Sequence, residues 1–186
     1  MKRRIVWMGI FVFFGFIKME RGNCEIPFPQ RVHAGIAAGF GLPSNFYSRF
    51  RSPISVLGGG LLNYRVANAY VLQVDGYGLY TFNLGTIDGR GGELRFNLLW
   101  TSLDLLRSMK RAAKGESFVA GGVGAYHLSQ QFDANETIVN TAGFQLGLVD
   151  WRQHARWRSV VEIRWHLLFR PTSNPQVLTV TFGVLL

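Results

Sequence analysis

The sequence predicts an all-β protein, an eight-stranded antiparallel up-and-down β-barrel that spans a membrane. Polar and apolar residues alternate in repeated segments of about 9–11 residues, the length that a tilted strand needs to cross a bilayer. The chain has 22 glycines, only 6 prolines and 14% aromatic residues, a composition that favours strands joined by turns. Because lipid cannot pair with free backbone groups, a sheet in a membrane must close on itself.

The clearest alternation covers residues 156–169. Successive side chains of a strand point to opposite faces, so Trp157 and Ile163 share one apolar face while Glu162 and Arg164 share the other. A membrane barrel turns its apolar face to lipid and its ionic face to the interior, where charged groups can pair. The segment is therefore predicted to be one long strand with its charges inside.

The remaining strands are predicted from the same period-2 alternation and from the glycine-rich and proline-rich segments between them. They cover residues 31–41, 54–65, 69–82, 93–103, 116–128, 137–148 and 176–186. Four outward loops are expected at residues 42–53, 83–92, 129–136 and 170–175. Residues 104–115 are expected to form a solvated basic connection, which is long for the periplasmic side of a barrel.

The faces opposite the apolar ones define a candidate ionic network in the lumen. Its members share the inward parity of their strands, and Glu93, Arg95, Glu162 and Arg164 are expected to form part of a plug. The full candidate set is Arg65, Asp75, Glu93, Arg95, Arg158, Glu162, Arg164 and His166. An interior of eight strands is just wide enough to be filled by side chains.

Aromatic residues on the apolar faces predict two girdles at the membrane interfaces. One girdle is expected to contain Tyr64, Tyr70, Trp100, Phe118 and Trp157. The other is expected to contain Phe40, Tyr80, Phe82, Tyr126 and Phe169.

The N-terminus predicts a secretory signal peptide over residues 1–24, followed by the barrel over residues 25–186. A basic start precedes 13 apolar residues, Ile5 to Ile17, too few for a membrane-spanning helix. An uncleaved anchor helix and a lipidated Cys24 are the alternatives for this segment.

The net charge of +9 does not indicate a nucleic-acid protein, because the Lys and Arg residues are scattered rather than gathered in one patch. An anionic membrane surface explains the same charge. The single cysteine and four separated histidines give no pattern for a metal site, and no cofactor motif occurs, so neither a metal nor a cofactor is expected.

Several segments resemble the small eight-stranded outer-membrane proteins of Gram-negative bacteria, the class of the OmpA transmembrane domain and OmpX. These segments are Ala38–Gly41, Gly121–Tyr126, Glu162–His166 and Thr179–Val184. The resemblance implies an outer-membrane location, contact with lipid and lipopolysaccharide, and insertion by the barrel-assembly machinery. The chain ends in Leu186, where the family has an aromatic residue. A structural or surface-interaction role without catalysis is expected, with a narrow lumen and an unknown surface partner.

Two alternatives belong to other functional classes. The first is an outer-membrane lipid A deacylase, whose family uses a His-x-Ser pair with an acidic partner. His127, Ser129 and Glu136 resemble that set, although Gln130 stands where the family has Asn. The second is a soluble lipocalin-like barrel, in which the apolar faces would point inward around a ligand.

Overall fold

The structure, a computed structural model, describes residues 31–44, 55–81, 94–132, 135–170 and 174–186. These residues form eight strands: β1 (Val32–Ser44), β2 (Ser55–Ala67), β3 (Tyr70–Thr81), β4 (Leu94–Ala112), β5 (Gly115–Phe132), β6 (Asn135–Gln153), β7 (Arg158–Leu168) and β8 (Gln176–Leu185). No helix among the described residues is long and apolar enough to cross a membrane. The predicted signal segment, residues 1–24, lies outside the described residues.

Each strand pairs antiparallel with the next, and β1 pairs with β8 to close the barrel. A path of paired residues that leaves Val32 and crosses every strand returns to β1 at Leu42, ten residues further along. With usual strand spacings, a stagger of ten over eight strands tilts the strands by about 41° from the barrel axis. The predicted closed up-and-down barrel is confirmed.

The two ends of the barrel differ in their connections. Residues 68–69, 113–114 and 154–157 make short connections at the end where β1 begins, here called the turn end. Longer connections, such as residues 45–54 and 82–93, join strands at the opposite end, here called the loop end.

Two predicted connections are wrong. Residues 104–112 continue β4, and only residues 113 and 114 separate β4 from β5. At the other end of β5, all but residues 133 and 134 of the predicted 129–136 loop belong to β5 and β6. In both places the backbone groups pair across the hairpin, which satisfies donors and acceptors that a loop would leave to water. The turn end consequently has no long connection between β4 and β5.

The face prediction for β4 is also wrong. Trp100 was expected in a girdle on the lipid face, but Phe96, Leu98 and Trp100 are 3%, 1% and 5% exposed and belong to the interior core. Leu99 and Leu103 face outward, at 45% and 50% exposure. Both faces of this strand carry apolar residues, and an interior filled by side chains accepts aromatic rings as readily as ions.

Candidate functional site

The middle of the lumen contains a connected set of buried polar side chains, here called the central network. Its charged members are Asp75 on β3, Asp104 on β4, and Glu162 and Arg164 on β7, all at most 3% exposed. Its neutral members are Gln73, Ser102 and Gln145. The members come from four strands, so the network connects opposite walls of the barrel.

Arg164 is the only cation of the central network. Its Nη1 lies 2.6 Å from Asp104 Oδ2 and 3.7 Å from Asp75 Oδ2, and its Nε lies 3.2 Å from Glu162 Oε2. The adjacent strand makes room for the side chain at Gly147, where a Cβ would come within 2.9 Å of Arg164 Cγ. One guanidinium is thus shared by three carboxylates, so the four ionised groups have a formal net charge of −2.

Neutral side chains donate further hydrogen bonds to each of the three carboxylates. Gln145 Nε2 donates to both oxygens of Asp104, at 2.7 and 2.6 Å. Gln73 Nε2 donates to Glu162 at 3.0 Å, and the Ser102 hydroxyl donates to Asp75. Buried carboxylates are tolerated when they are paired and hydrogen-bonded in this way.

An aromatic layer adjoins the central network on the side of the loop end. The Trp100 ring lies 5.4 Å from the Tyr77 ring, 6.3 Å from the Tyr126 ring and 5.1 Å from the His166 ring, measured between centroids. His166 hydrogen-bonds Tyr126 through Nδ1 and Thr179 through Nε2, each at 3.1 Å. The side chains of the layer and of the central network are all at most 5% exposed, so the barrel encloses both.

A second ionic group lies at the turn end and is here called the mouth cluster. It contains His33, Arg65, Arg111, Glu116, Trp151 and Arg158, which line a cavity of about 530 Å³. Arg65 Nη2 lies 2.5 Å from Glu116 Oε2, while Arg158 donates to Gln153 Oε1 at 2.6 Å. The mouth cluster is open, unlike the central network.

Of the eight residues predicted for one lumen network, the structure describes the side chains of six, and these lie in three places. Asp75, Glu162 and Arg164 meet in the central network, and His166 lies in the aromatic layer. Arg65 and Arg158 belong to the mouth cluster. Glu93 lies outside the described residues. The backbone of Arg95 pairs with Gln131 on β5, and its side chain is not described.

Sequence reasoning missed two carboxylates that complete these groups. Asp104 is the nearest ion-pair partner of Arg164, and Glu116 is the partner of Arg65. Asp104 was assigned to the basic connection over residues 104–115, because the strand was predicted to end at Leu103. The continued alternation of Ser102, Asp104 and Leu106 is the signal that would have placed it inside.

The predicted girdles are partly wrong. Trp100, Phe118 and Tyr126 are at most 5% exposed and fill the interior, because their strands turn these positions inward. Tyr70 is 9% exposed, and Phe82 lies outside the described residues. The exposed members are Phe40, Tyr80 and Phe169 toward the loop end, and Tyr64 and Trp157 toward the turn end.

The candidate deacylase residues do not make the contacts of a catalytic triad. His127 Nδ1 hydrogen-bonds Asn140 Oδ1 at 2.7 Å. The Ser129 hydroxyl instead donates directly to Glu136 at 2.7 Å. A serine is activated when a histidine accepts its proton and a carboxylate orients that histidine. Here the carboxylate holds the serine, and the histidine is held by an amide.

No group of three metal-ligating side chains that would hold an ion occurs in the part of the chain that the structure describes.

No protein-family model and no curated protein matches the chain. Solved structures do match. Neisserial surface protein A aligns with a TM-score of 0.68 and 11% identity, over 83% of this chain and 96% of that one. The N-terminal barrel domain of Pseudomonas aeruginosa OprF aligns with a TM-score of 0.53 and 12% identity, over 82% and 97%.

The attachment invasion locus protein of Yersinia pestis, Ail, aligns with a TM-score of 0.53 and 8% identity, over 84% of this chain and 98% of that one. This chain therefore has the fold of the small eight-stranded outer-membrane β-barrels, and the resemblance predicted from its sequence is confirmed for the fold.

Proposed function

We propose that this protein is an outer-membrane β-barrel of structural and surface-interaction type, with a closed lumen and no catalytic role. The observation that carries the proposal is the central network, in which Arg164 connects carboxylates from three strands across the middle of the barrel. A lumen filled at mid-height leaves the two ends of the barrel as the surfaces that can act.

The outward face supports a lipid environment. Ile36, Phe182 and Leu103 are 73%, 56% and 50% exposed, and they belong to a larger set of outward apolar side chains on all eight strands. A soluble protein rarely exposes so much contiguous apolar surface, and the ionic groups point the other way. The same arrangement opposes a lipocalin-like barrel, whose interior would be apolar.

The connections support one orientation. Outer-membrane barrels have short periplasmic turns and longer extracellular loops. We place the turn end in the periplasm and the loop end outside the cell. Residues 1–24 are proposed as the signal peptide and residues 25–186 as the barrel. Lipid and lipopolysaccharide are its proposed surroundings, and the barrel-assembly machinery is its proposed partner during insertion.

The loop end supports a surface role. β6 extends beyond the last residue pair with β7, Gly143 with Leu168, by the eight residues Asn135–Ala142. Ile138 on this extension is 56% exposed. Two of the proteins with this fold are named for the cell surface and for attachment. We propose that this hairpin and the neighbouring loops contact the surface partner.

Two measurements test the proposal. A closed barrel in the outer-membrane fraction should resist cold SDS and change its electrophoretic mobility only after boiling. In planar lipid bilayers the wild type should show no discrete conductance steps, whereas Glu162→Ala should open leak currents because it removes hydrogen bonds to Gln73 and Tyr77.

Glu162→Gln is the matched control, since it keeps the size of the side chain and one acceptor oxygen, and so keeps the lumen filled. Discrete conductance steps from the wild type would overturn the closed lumen. A soluble protein whose electrophoretic mobility does not change on boiling would overturn the membrane barrel. Release of fatty acid from purified lipid A by the wild type, lost in Ser129→Ala, would replace the proposal with the deacylase.

A further inference from the structure

The cavity at the turn end carries an excess of positive charge. Among the described side chains that line it, Arg65, Arg111 and Arg158 are cationic and Glu116 is the only carboxylate. Glu116 is already held by Arg65 through two hydrogen bonds, at 2.5 and 3.3 Å. The other nearby acid, Asp150, forms its ion pair with Arg152 and does not line the cavity.

Arg158 is held in place without being neutralised. Its Nε donates to Gln153 Oε1 at 2.6 Å, and its Nη1 hydrogen-bonds His33 Nε2 at 2.8 Å. Its guanidinium carbon also lies 5.8 Å from the centre of the Trp151 ring. All three contacts are with uncharged groups when His33 is neutral, so they orient the cation and leave its charge available.

A β-bulge brings Arg111 to the same cavity. The register of β4 against β5 shifts between Ser108 and Lys110, so Met109 is the extra residue. After the shift Arg111 pairs with Glu116 and shares its inward face, while Lys110 pairs with Ser117 and faces outward. Bulges often re-aim a side chain in this way. Regular pairing would have turned Lys110 inward instead of Arg111.

Trp151 adds a hydrogen-bond donor that has no acceptor. The side chain is only 3% exposed, and its Nε1 has no hydrogen-bond partner among the described residues. A buried N–H group without a partner is unusual, because the lost hydrogen bond with water is not replaced. The same residue lines the cavity, and Arg158 lies against its ring, so its indole N–H signal reports on what occupies the cavity.

We propose that the mouth cluster is a binding site for a phosphate-bearing anion, held between Arg111 and Arg158 beside the Trp151 ring. Guanidinium groups match the oxygens of phosphate in a planar, bidentate geometry. The cavity volume of about 530 Å³ is in the range of small-molecule sites and accommodates a phosphate ester as well as inorganic phosphate. The phosphate can belong to a soluble ester or to a lipid headgroup.

The test uses the full mature protein in a sugar-headgroup detergent, since phosphocholine detergents would supply the ligand. Glycerol phosphate is titrated while the Trp151 indole N–H signal is followed by NMR, with its assignment taken from Trp151→Phe. The signal should shift and saturate. Sodium chloride at equal ionic strength should leave it nearly unchanged. Arg158→Gln and Arg111→Gln should each weaken binding about tenfold or more.

Lys110→Gln is the matched control. It also removes one positive charge, from the residue next to Arg111, but on the outward face of β4. It should change the affinity less than twofold. Equal weakening by Lys110→Gln, or a chloride response as large as that to glycerol phosphate, would overturn the site in favour of general rim charge. If Arg158→Gln does not fold, Arg111→Gln decides, since its side chain is exposed.

A third titration separates the two sources of phosphate. Phosphatidylglycerol is added to the micelles in place of glycerol phosphate. A shift with both ligands supports a soluble ester as well as a headgroup, and a shift with the lipid alone assigns the site to headgroups. No shift with either ligand, nor with inorganic phosphate, would overturn the proposal.

Discussion

The central network and the mouth cluster have opposite excesses of charge within one lumen. The central network has three carboxylates around one guanidinium, and all four groups are at most 3% exposed. The mouth cluster has three guanidinium groups and one carboxylate around an open cavity. The same residue types thus occur in inverse proportion at two heights of the barrel.

The difference follows from access to water. In the central network, Gln73, Ser102 and Gln145 supply the donors that the single cation cannot, so the acidic excess is satisfied from within the protein. In the mouth cluster the contacts of Arg158 are neutral, so its charge remains available from outside. The contrast is the basis for the two proposals made above, that the central network closes the barrel and that the mouth cluster binds an anion.

Removal of Arg164 should produce the largest effect. Arg164→Met would leave three buried carboxylates without a cation, and breaking a buried pair in this way costs about 3–5 kcal/mol. The free energy of unfolding is measured by urea titration in lipid vesicles. The control is Arg152→Met, which breaks the exposed pair with Asp150 and should leave the unfolding midpoint unchanged. Similar midpoints for the two variants would contradict the central role of Arg164.

A methyl group placed against the central network should have a smaller effect. In Gly147→Ala the new Cβ would lie 2.4 Å from the Ile163 carbonyl oxygen and 2.9 Å from Arg164 Cγ. Overpacking of this kind costs about 1–3 kcal/mol. In the control Gly60→Ala the nearest atom is the Gly35 carbonyl oxygen, at 3.6 Å, and no loss is expected. Equal urea midpoints would show that both the backbone at Ile163 and the Arg164 side chain can move away from the added methyl group.

Removal of the single carboxylate of the mouth cluster should have the smallest effect on stability. It should also increase the positive excess that separates the mouth cluster from the central network. Glu116→Gln releases Arg65, so the positive excess rises and glycerol phosphate should bind severalfold more tightly in the same NMR titration. The loss of stability should be about 1 kcal/mol, because Arg65 keeps its bond to the Asn68 carbonyl. Asp150→Asn, outside the cavity, should change neither quantity. Weaker binding in Glu116→Gln would indicate that Glu116 itself orients the ligand.

The alternation of polar and apolar residues was sufficient to predict the barrel and much of the central network. The parity of Asp75, Glu162 and Arg164 placed them inside because their opposite faces are apolar. Alternation failed on β4, where Leu98, Leu99 and Trp100 are apolar on both faces, so either face satisfies the pattern. The phase of such a strand is set by what fits in the lumen, which depends on all eight strands.

Pairing across the lumen could not be predicted from any single strand. Arg164 meets Asp104 only because the sheet closes with a stagger of ten residues, which depends on every register in the barrel. The position of Arg111 depends on one bulge, and nothing in the period-2 pattern of the sequence announces the extra residue at Met109. Local periodicity predicts the face of a strand on which a residue lies. Contacts between side chains of different strands depend on how the barrel closes.

The described strands differ in how far they extend at the loop end. At a tilt of about 41°, the 11 residues of β7 rise about 27 Å along the barrel axis, close to the thickness of the apolar band of such barrels. β6 has eight further residues at the loop end, which adds about 20 Å on that side alone. In the orientation proposed above, an antibody or a protease outside the cell would therefore reach the described residues of β5 and β6 well before those of β7 and β8.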